Sequence, residues 1–394
     1  MDAALATWLV SADARPVLDE ASSFSDPSDL RAGELLRRHC EPDQAAAALN
    51  QVALRRRAVA KFGPDAAGLF FTADGLEQAT RAGAAAWRAE RFAAAGVNEV
   101  VDVACGLGAD ARAFADAGLR VTGIEADPVT AVFAQANLGE RGRVVCGRAE
   151  DIVAGLLAPG VGVFVDPARR TARGRSWQVR DLSPSWEFCL GLLEGRMGCV
   201  KAAPGLDRTL IPTNLQACWV SDHGDLVELS LWNGVDDGGH VAVLLPSGKR
   251  MEVGPDAAAP VGDVGAYLLE PDPALIRSGA VDTLAARLGA WRLAPGIAYL
   301  SANVIAATSE TAPTDFARVF EVSDVLAYNE KTLRAWIRRD QIGILEIKAR
   351  GVDVDPATLR RRLKPSGPNA ATLILTPTPQ GVRAVVARRR DPDF

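Results

Sequence analysis

One stretch constrains the fold of this chain more than any other: VDVACGLGADARAFADAGLRVTGIEAD, Val101 to Asp127. An apolar segment (98–104) carries Asp102 near its end, and the turn that follows contains Gly106 and Gly108. A helical pattern runs from about Ala109 through Ala117, and a second apolar segment (119–126) carries Glu125, 23 positions after Asp102. Glycines are needed where the backbone must approach a ligand without a Cβ in the way. An acid at the end of the second strand can accept hydrogen bonds from ribose hydroxyls. Strand, acid, G-x-G, helix, strand and second acid together indicate a site for a nucleoside-containing ligand.

The same alternation continues. Apolar strands are expected at 142–147, 161–166, 200–203, 225–232 and 240–246, with a helix over 128–138 between the second and third strands of the series. Nearly continuous apolar strands separated by helices predict a parallel sheet covered on both faces. The close spacing of the last two predicts an antiparallel hairpin at one edge. Residues 1–95 show helical periodicity broken by Pro16, Pro27, Pro42 and Pro64, with no strand, and end in a helix from about Glu77 to Ala95. After a Gly/Pro/Ala-rich stretch (252–265), a helix is expected around 272–288, then a mixed stretch, helices at 329–340 and 355–363, and strands at 342–351, 371–377 and 381–389. The fold class is α/β: a helical region (1–95), a Rossmann-like domain (96–255) and an α+β domain (265–394).

Composition narrows the class. The 394 residues are 48% hydrophobic and 24% charged, ordinary globular values. No apolar run approaches the ~20 residues of a membrane span, and Asp2 stands where an export signal wants basic charge. Six scattered cysteines without a C-x-x-C pair, and three histidines, argue against a zinc site or a disulfide framework. A cytoplasmic, metal-free protein is expected. The net charge of −5 conceals an asymmetry, because residues 321–394 hold 14 Lys and Arg against 9 Asp and Glu. Arg334, Arg338, Arg339, Lys348, Arg350, Arg360, Arg361, Arg362 and Lys364 make that end a candidate phosphate-tracking surface.

The turn discriminates between cofactors. A dinucleotide turn holds a pyrophosphate on the helix N-terminus, and Asp102 would repel it; an acid suits a cationic amino-acid moiety better. Asp102-Val103-Ala104-Cys105-Gly106-Leu107-Gly108 resembles motif I of class I S-adenosylmethionine-dependent methyltransferases, D-x-G-C-G-x-G, with Ala104 in place of the first glycine. The resemblance implies S-adenosyl-L-methionine as cofactor. Asp102, Ala104, Gly106 and Gly108 would serve its methionine part and Glu125 its ribose. Ala149 with Glu150 or Asp151 would meet the adenine. The alternative for the last two is a helix N-terminal cap.

The fourth strand ends in Asp166-Pro167-Ala168-Arg169-Arg170. Methyl transfer to an amine needs acceptors for the amine's protons, and the Asp166 carboxylate with the carbonyl of Pro167 would supply them. The segment resembles the D/N-P-P-Y/F/W motif of amino-methyltransferases, with Ala168 for the second proline and Arg169 for the aromatic. A guanidinium plane can also stack on a base, so Arg169 and Arg170 are candidate substrate contacts, as are Trp177, Trp186 and Lys201; the alternative for the arginines is a salt bridge to neighbouring carboxylates and for either Trp a core anchor. Lys201 is expected just beyond its strand, contacting a phosphate or forming a surface ion pair.

LFFTADGLEQAT (69–80), the Asp-Pro-Ala-Arg-Arg string, Lys201-Ala202-Ala203-Pro204-Gly205 and LEIKARG (345–351) together resemble a bacterial group of class I methyltransferases with a helical N-terminal region and a C-terminal THUMP-like domain. More distantly the chain is similar to trimethylguanosine synthase, which methylates a guanine exocyclic amine. That likeness implies that Phe71, Thr72, Gln78 and Thr80 line the cofactor site; the alternative is a helix N-terminal cap by Thr72 or Asp74 with buried helix contacts. THUMP-type domains elsewhere bind RNA, so RNA is the implied partner and a base amine, guanine N2 among them, the implied target. The competing readings are a methyltransferase of a protein or small molecule, and an RNA-binding adaptor that has lost turnover.

Overall fold

The computed structural model describes residues 1–169, 179–235, 238–255, 258–305 and 313–390. It divides into two compact units, residues 1–217 with 228–238 and residues 218–227 with 239–394.

The first unit begins with helices α1 (Ala3–Val10), α2 (Arg15–Ser23), α3 (Leu30–Leu36) and α4 (Pro42–Phe62). Pro16 and Pro42 stand in the first turns of α2 and α4, where a missing N–H costs nothing. Instead of one helix over 77–95 there are two, α5 (Ala73–Gln78) and α6 (Ala82–Ala94). The break falls at Thr80, whose hydroxyl is drawn to Asp110. Next come β1 (Glu99–Val103), α7 (Ala109–Asp116), β2 (Arg120–Glu125), α8 (Pro128–Leu138), β3 (Gly142–Cys146), α9 (Ala149–Ile152), β4 (Gly162–Val165), the two-residue strands β5 (Ala168–Arg169) and β6 (Leu182–Ser183), α10 (Trp186–Gly191) and β7 (Gly198–Ala202). β7, β4, β1, β2 and β3 lie parallel in that order, with residues 229–233 antiparallel along β7. The order reverses between β1 and β4, the switch point where ligands bind at the carboxyl ends of strands.

The N-terminal helices share one hydrophobic core with α8. Leu9, Val17, Ala48, Val52 and Phe71 are buried together with Phe133 and Leu107. Two side-chain amides pin the LFFT segment. Gln51 exchanges two hydrogen bonds with the backbone of Phe71 (2.6 and 3.0 Å), and Asn137 exchanges two with Phe70 (2.8 and 2.9 Å) while also donating to the carbonyl of Leu107 at 3.0 Å.

β8 (Gln216–Asp222) and β9 (Asp225–Asn233) lead into and out of the second unit. The hairpin expected between 225–232 and 240–246 does not form. β10 (His240–Leu245) has β8 and β11 (Lys249–Glu252) as its neighbours. β8 is buried throughout, so its sequence lacks the polar alternation that marks a strand. β12 (Tyr267–Pro271) follows. The helix expected at 272–288 is divided into α11 (Pro273–Ser278) and α12 (Val281–Leu288) by Gly279, at φ 91°. Then come β13 (Trp291–Arg292), β14 (Leu300–Ala302), α13 (Pro313–Phe316), β15 (Ala317–Ala327), α14 (Glu330–Arg339), β16 (Ile342–Ala349), α15 (Pro356–Leu363), β17 (Asn369–Thr378) and β18 (Gly381–Arg389). Their sheet runs β13-β14-β12-β15-β18-β17-β16. Leu333, Trp336 and Ile337 of α14 and Leu359 and Leu363 of α15 are buried with Leu345, Leu373, Leu375 and Val386 of the strands.

Candidate active site

The carboxyl ends of β1, β2, β3 and β4 are held level by the backbone. Asp166 donates its N–H to Val103 at 3.2 Å, Cys105 to Ile124 at 3.0 Å and Gly147 to Glu125 at 2.9 Å. Between them the 104–108 turn makes three left-handed residues, Ala104 (φ 58°), Gly106 (φ 55°) and Gly108 (φ 78°). Ala104 accepts a conformation that costs an L-residue about 1–2 kcal/mol. Two further glycines give the turn its room. A Cβ on Gly123 would stand 2.9 Å from the Cys105 sulfur, and one on Gly75 would stand 2.7 Å from Leu107. The α5 segment therefore packs directly on the turn.

Glu125 caps this arrangement from β2. One carboxylate oxygen accepts from the Gly106 N–H at 3.0 Å and the other from the Asp127 N–H at 2.9 Å. Burial raises its pKa in spite of those two donors. Asp102 is fully buried, and neither carboxyl oxygen has a hydrogen-bond partner among the described residues. Burial, reinforced by Asp110 and Asp166, pushes its pKa well above the usual carboxylate range. A buried polar group left unmatched in this way is one that a ligand donor or an ordered water satisfies.

Beside Asp102 lies a chain of buried charges. Arg88, with no exposed surface, donates from Nε to Asp110 (2.9 Å), from both terminal nitrogens to Glu228 (2.7 and 3.0 Å) and to Ser230 (3.0 Å). Its guanidinium carbon also sits 4.5 Å from the centre of the Phe164 ring. Thr80 donates to the other Asp110 oxygen at 2.6 Å, and Lys201 donates to Thr80 at 2.8 Å and to Asp166 at 2.7 Å. Arg88 and Lys201 face Asp110, Glu228 and Asp166, so the partnered set carries one net negative charge. Burial opposes the ionised form of Glu228, but Arg88 outweighs it and brings the carboxyl down to about 2. For Asp166 the balance reverses, and burial raises its pKa against the pull of Lys201.

The fold brings most of the expected residues to this end of the sheet but rearranges their roles. Thr72 caps α5, accepting from the Gly75 N–H at 3.1 Å; Gln78 is exposed and Phe71 is buried in the core. Thr80 belongs to the charge network. Glu150 and Asp151 stand in the first turn of α9 without a side-chain cap bond, and Glu150 pairs with Arg148 at 3.3 Å. Lys201 lies inside β7, not beyond it, and only 15% of its side chain is exposed, so a surface ion pair is excluded. Trp186 is 5% exposed, a packing position. The backbone of Arg169 pairs with Leu182; Arg170 and Trp177 lie outside the described residues.

Sequence reasoning missed Arg88, Asp110, Glu228 and Ser230. A signal for Arg88 was there: it falls on the apolar stripe Ala84, Ala85, Ala89, Phe92 of α6, the face that turns inward.

A family model described as THUMP domain-like matches residues 317–389, and one described as a domain of unknown function matches residues 2–58. An uncharacterized S-adenosylmethionine-dependent methyltransferase of Mycobacterium tuberculosis (strain ATCC 25618 / H37Rv) is 32% identical over 347 residues, spanning 85% of this chain and 93% of its own. The chain belongs to the S-adenosylmethionine-dependent methyltransferases. The relative in strain CDC 1551 / Oshkosh matches to the same extent. A crystal structure from Porphyromonas gingivalis W83, described as a methyltransferase, has the same fold, with a TM-score of 0.79 at 22% identity over 96% of this chain and 99% of that one. The methyltransferase uses S-adenosyl-L-methionine, and the site fits that group. An unmatched buried acid under the glycine turn and a net-negative cluster beside it suit a ligand that carries a sulfonium and an ammonium.

Among the described residues, no helix is long and apolar enough to cross a membrane, and no group of three His, Cys, Asp or Glu is placed to hold a metal.

Proposed function

We propose that this methyltransferase acts on an exocyclic amine of an RNA base, with the THUMP-like domain binding the RNA. The observation that carries the reading is Asp166. It stands at the switch point, directly after β4 and before Pro167, with 32% of its side chain exposed and a raised pKa. Bound S-adenosyl-L-methionine supplies an electrophilic methyl carbon. Asp102 and the 104–108 turn take the methionine end, Glu125 the ribose, and Ala149 with Glu150 or Asp151 the adenine edge. Asp166 and the Pro167 carbonyl accept hydrogen bonds from the two N–H groups of the attacking amine, which aims its lone pair. As the nitrogen–carbon bond forms, the methyl carbon–sulfur bond would break with its electron pair staying on the sulfur of the leaving S-adenosylhomocysteine, and the nitrogen, gaining positive charge, would give one proton to Asp166. A carboxylate with a raised pKa is a better base for that proton than an ordinary aspartate. Guanine N2 is the first atom to test, on the resemblance to trimethylguanosine synthase.

A second reading, cofactor and RNA binding without turnover, is favoured by one observation: Lys201 already occupies one oxygen of Asp166. The deciding experiment is transfer of tritiated methyl from S-adenosylmethionine into RNA, protein and metabolite fractions of cells lacking the gene. Label in an RNA base supports the first reading, and label only in protein or metabolites overturns it. Binding of cofactor and RNA with no label in any fraction supports the second.

A further inference from the structure

With its acids ionised and its bases charged, the buried network has one direction of hydrogen bonding. Thr80 has a single hydroxyl proton. At 2.6 Å from Asp110 it donates that proton to the carboxylate, which when ionised has none of its own to give. The Thr80 oxygen therefore turns its lone pairs to Lys201, 2.8 Å away, and Lys201 donates there and to Asp166 Oδ2 at 2.7 Å. Arg88 closes the far end by donating to the second Asp110 oxygen at 2.9 Å while Glu228 holds its fork. Arg88 and Lys201 can only donate and the ionised carboxylates can only accept, and Thr80 between them both accepts from Lys201 and donates to Asp110. The Lys201 ammonium is thus held at one point by a hydroxyl oriented from α6 and α7, and it presents one N–H to one oxygen of Asp166. The segment carrying Thr80 is itself tied down, because Lys61 donates to the carbonyls of Leu76 (2.7 Å), Glu77 (2.6 Å) and Ala79 (3.2 Å).

We propose that Lys201 is a positioning residue for methyl transfer: anchored by Thr80, it fixes the Asp166 carboxylate by one oxygen and leaves the other to the acceptor amine. This rests on the reading of Asp166 as the proton acceptor. Lys201 does not touch the reacting atoms in this scheme and acts only through Asp166. The groups that face Asp166 set the direction of its response. Lys201 on β7 and Arg88 on α6 favour its ionised form, whereas Asp110 on α7 and Asp102 on β1 oppose it. Burial alone would lower the pKa of Lys201, but Asp166, Asp110 and Glu228 outweigh it, so Lys201 remains a cation across the working range of pH. Removing that cation lets burial and the neighbouring acids carry Asp166 further up.

The test uses the full chain with 13C-carboxyl-labelled aspartate. The resonance lost in Asp166→Asn is followed through a pH titration in Lys201→Met, Lys201→Arg and Thr80→Val. Lys201→Met should raise the midpoint by about one pH unit or more, as expected for loss of an adjacent opposite charge. Lys201→Arg should restore most of it, and Thr80→Val should shift it in the same direction by less. Single-turnover methyl transfer in Lys201→Met should fall roughly tenfold to a hundredfold, with its acid limb displaced by the same amount and cofactor affinity within about twofold. If Lys201→Met does not fold, Thr80→Val and Lys201→Arg carry the test. An unmoved midpoint in every folded variant overturns the positioning role and leaves the proposed function intact. A shifted midpoint with an unmoved acid limb overturns Asp166 as proton acceptor.

Discussion

Charges do opposite work in the two units of this methyltransferase. In the first, Arg88, Asp110, Glu228, Lys201 and Asp166 are mostly withdrawn from water, and each is held by at least one partner of fixed geometry. In the second, the arginine-rich segments stand in solvent. Arg339 bridges Asp324 and Asp340, and Arg334 and Arg362 share Glu330. Arg360 and Lys364 are exposed and make no ion pair among the described residues. Buried pairs are expensive to assemble and more expensive to break, so they set geometry. Exposed pairs contribute little and are screened by salt, so they fix neither geometry nor stability.

The largest expected effect breaks the buried side of that contrast. Arg88→Met strands Asp110 and Glu228 without their cation and should cost about 3–5 kcal/mol of stability in denaturant unfolding, whereas Arg339→Ala should leave the unfolding midpoint unchanged. The pH dependence has a definite sign. The depressed Glu228 contributes stability above its unfolded value near 4.5, lost as pH falls toward 2. In Arg88→Met that acid-sensitive contribution should vanish; an equal loss for both arginines would erase the contrast between the units.

Next in size, Asp166→Ala should lower single-turnover methyl transfer on the order of 10²-fold, as when a transition-state hydrogen bond is removed, with cofactor affinity nearly unchanged. Asp102→Ala should do the reverse, costing about 1–3 kcal/mol of cofactor binding, measured by calorimetry. Its elevated pKa adds a linkage. Burial disfavours the charged form of Asp102, so a ligand ammonium that favours the carboxylate should release a proton on binding, and affinity for S-adenosylmethionine should rise with pH. Calorimetry in buffers of different ionisation enthalpy reads that proton directly.

A smaller effect sharpens the solvent side. RNA affinity of the full chain should fall at least about tenfold between 50 and 200 mM salt. Arg360→Glu with Lys364→Glu should weaken binding and flatten that slope, whereas Arg339→Ala should alter neither. The smallest effect concerns the turn. Ala104→Gly relieves a left-handed alanine and should change stability by no more than about 1 kcal/mol, in the stabilising direction.

Much of this was legible before any fold was known. Motif I was read from Asp102 to Gly108 and its helix and second strand to within a residue or two, because glycine spacing and apolar runs are local signals. β8 was not read, since a strand buried on both faces shows no alternation. Neither was β15, whose pattern of buried and exposed residues shifts at a bulge between Val322 and Asp324. The expected helix at 77–95 ignored Thr80, because nothing local says that its hydroxyl has a partner thirty positions away.

The sequence by itself determined the alternating strand–helix order, the left-handed glycine turn with Asp102 and Glu125 at its edges, and the acid–proline step at 166–167. Each depends on residues close together in the chain, where backbone sterics and periodicity act. Only the tertiary structure decided that Arg88, Asp110, Glu228, Thr80 and Lys201 form one directed network ending on Asp166. Arg88 and Glu228 are 140 positions apart, and Lys201 and Thr80 are 121. A charge buried from water must find its counter-charge wherever folding brings one, and that choice is made by packing, not by spacing along the chain.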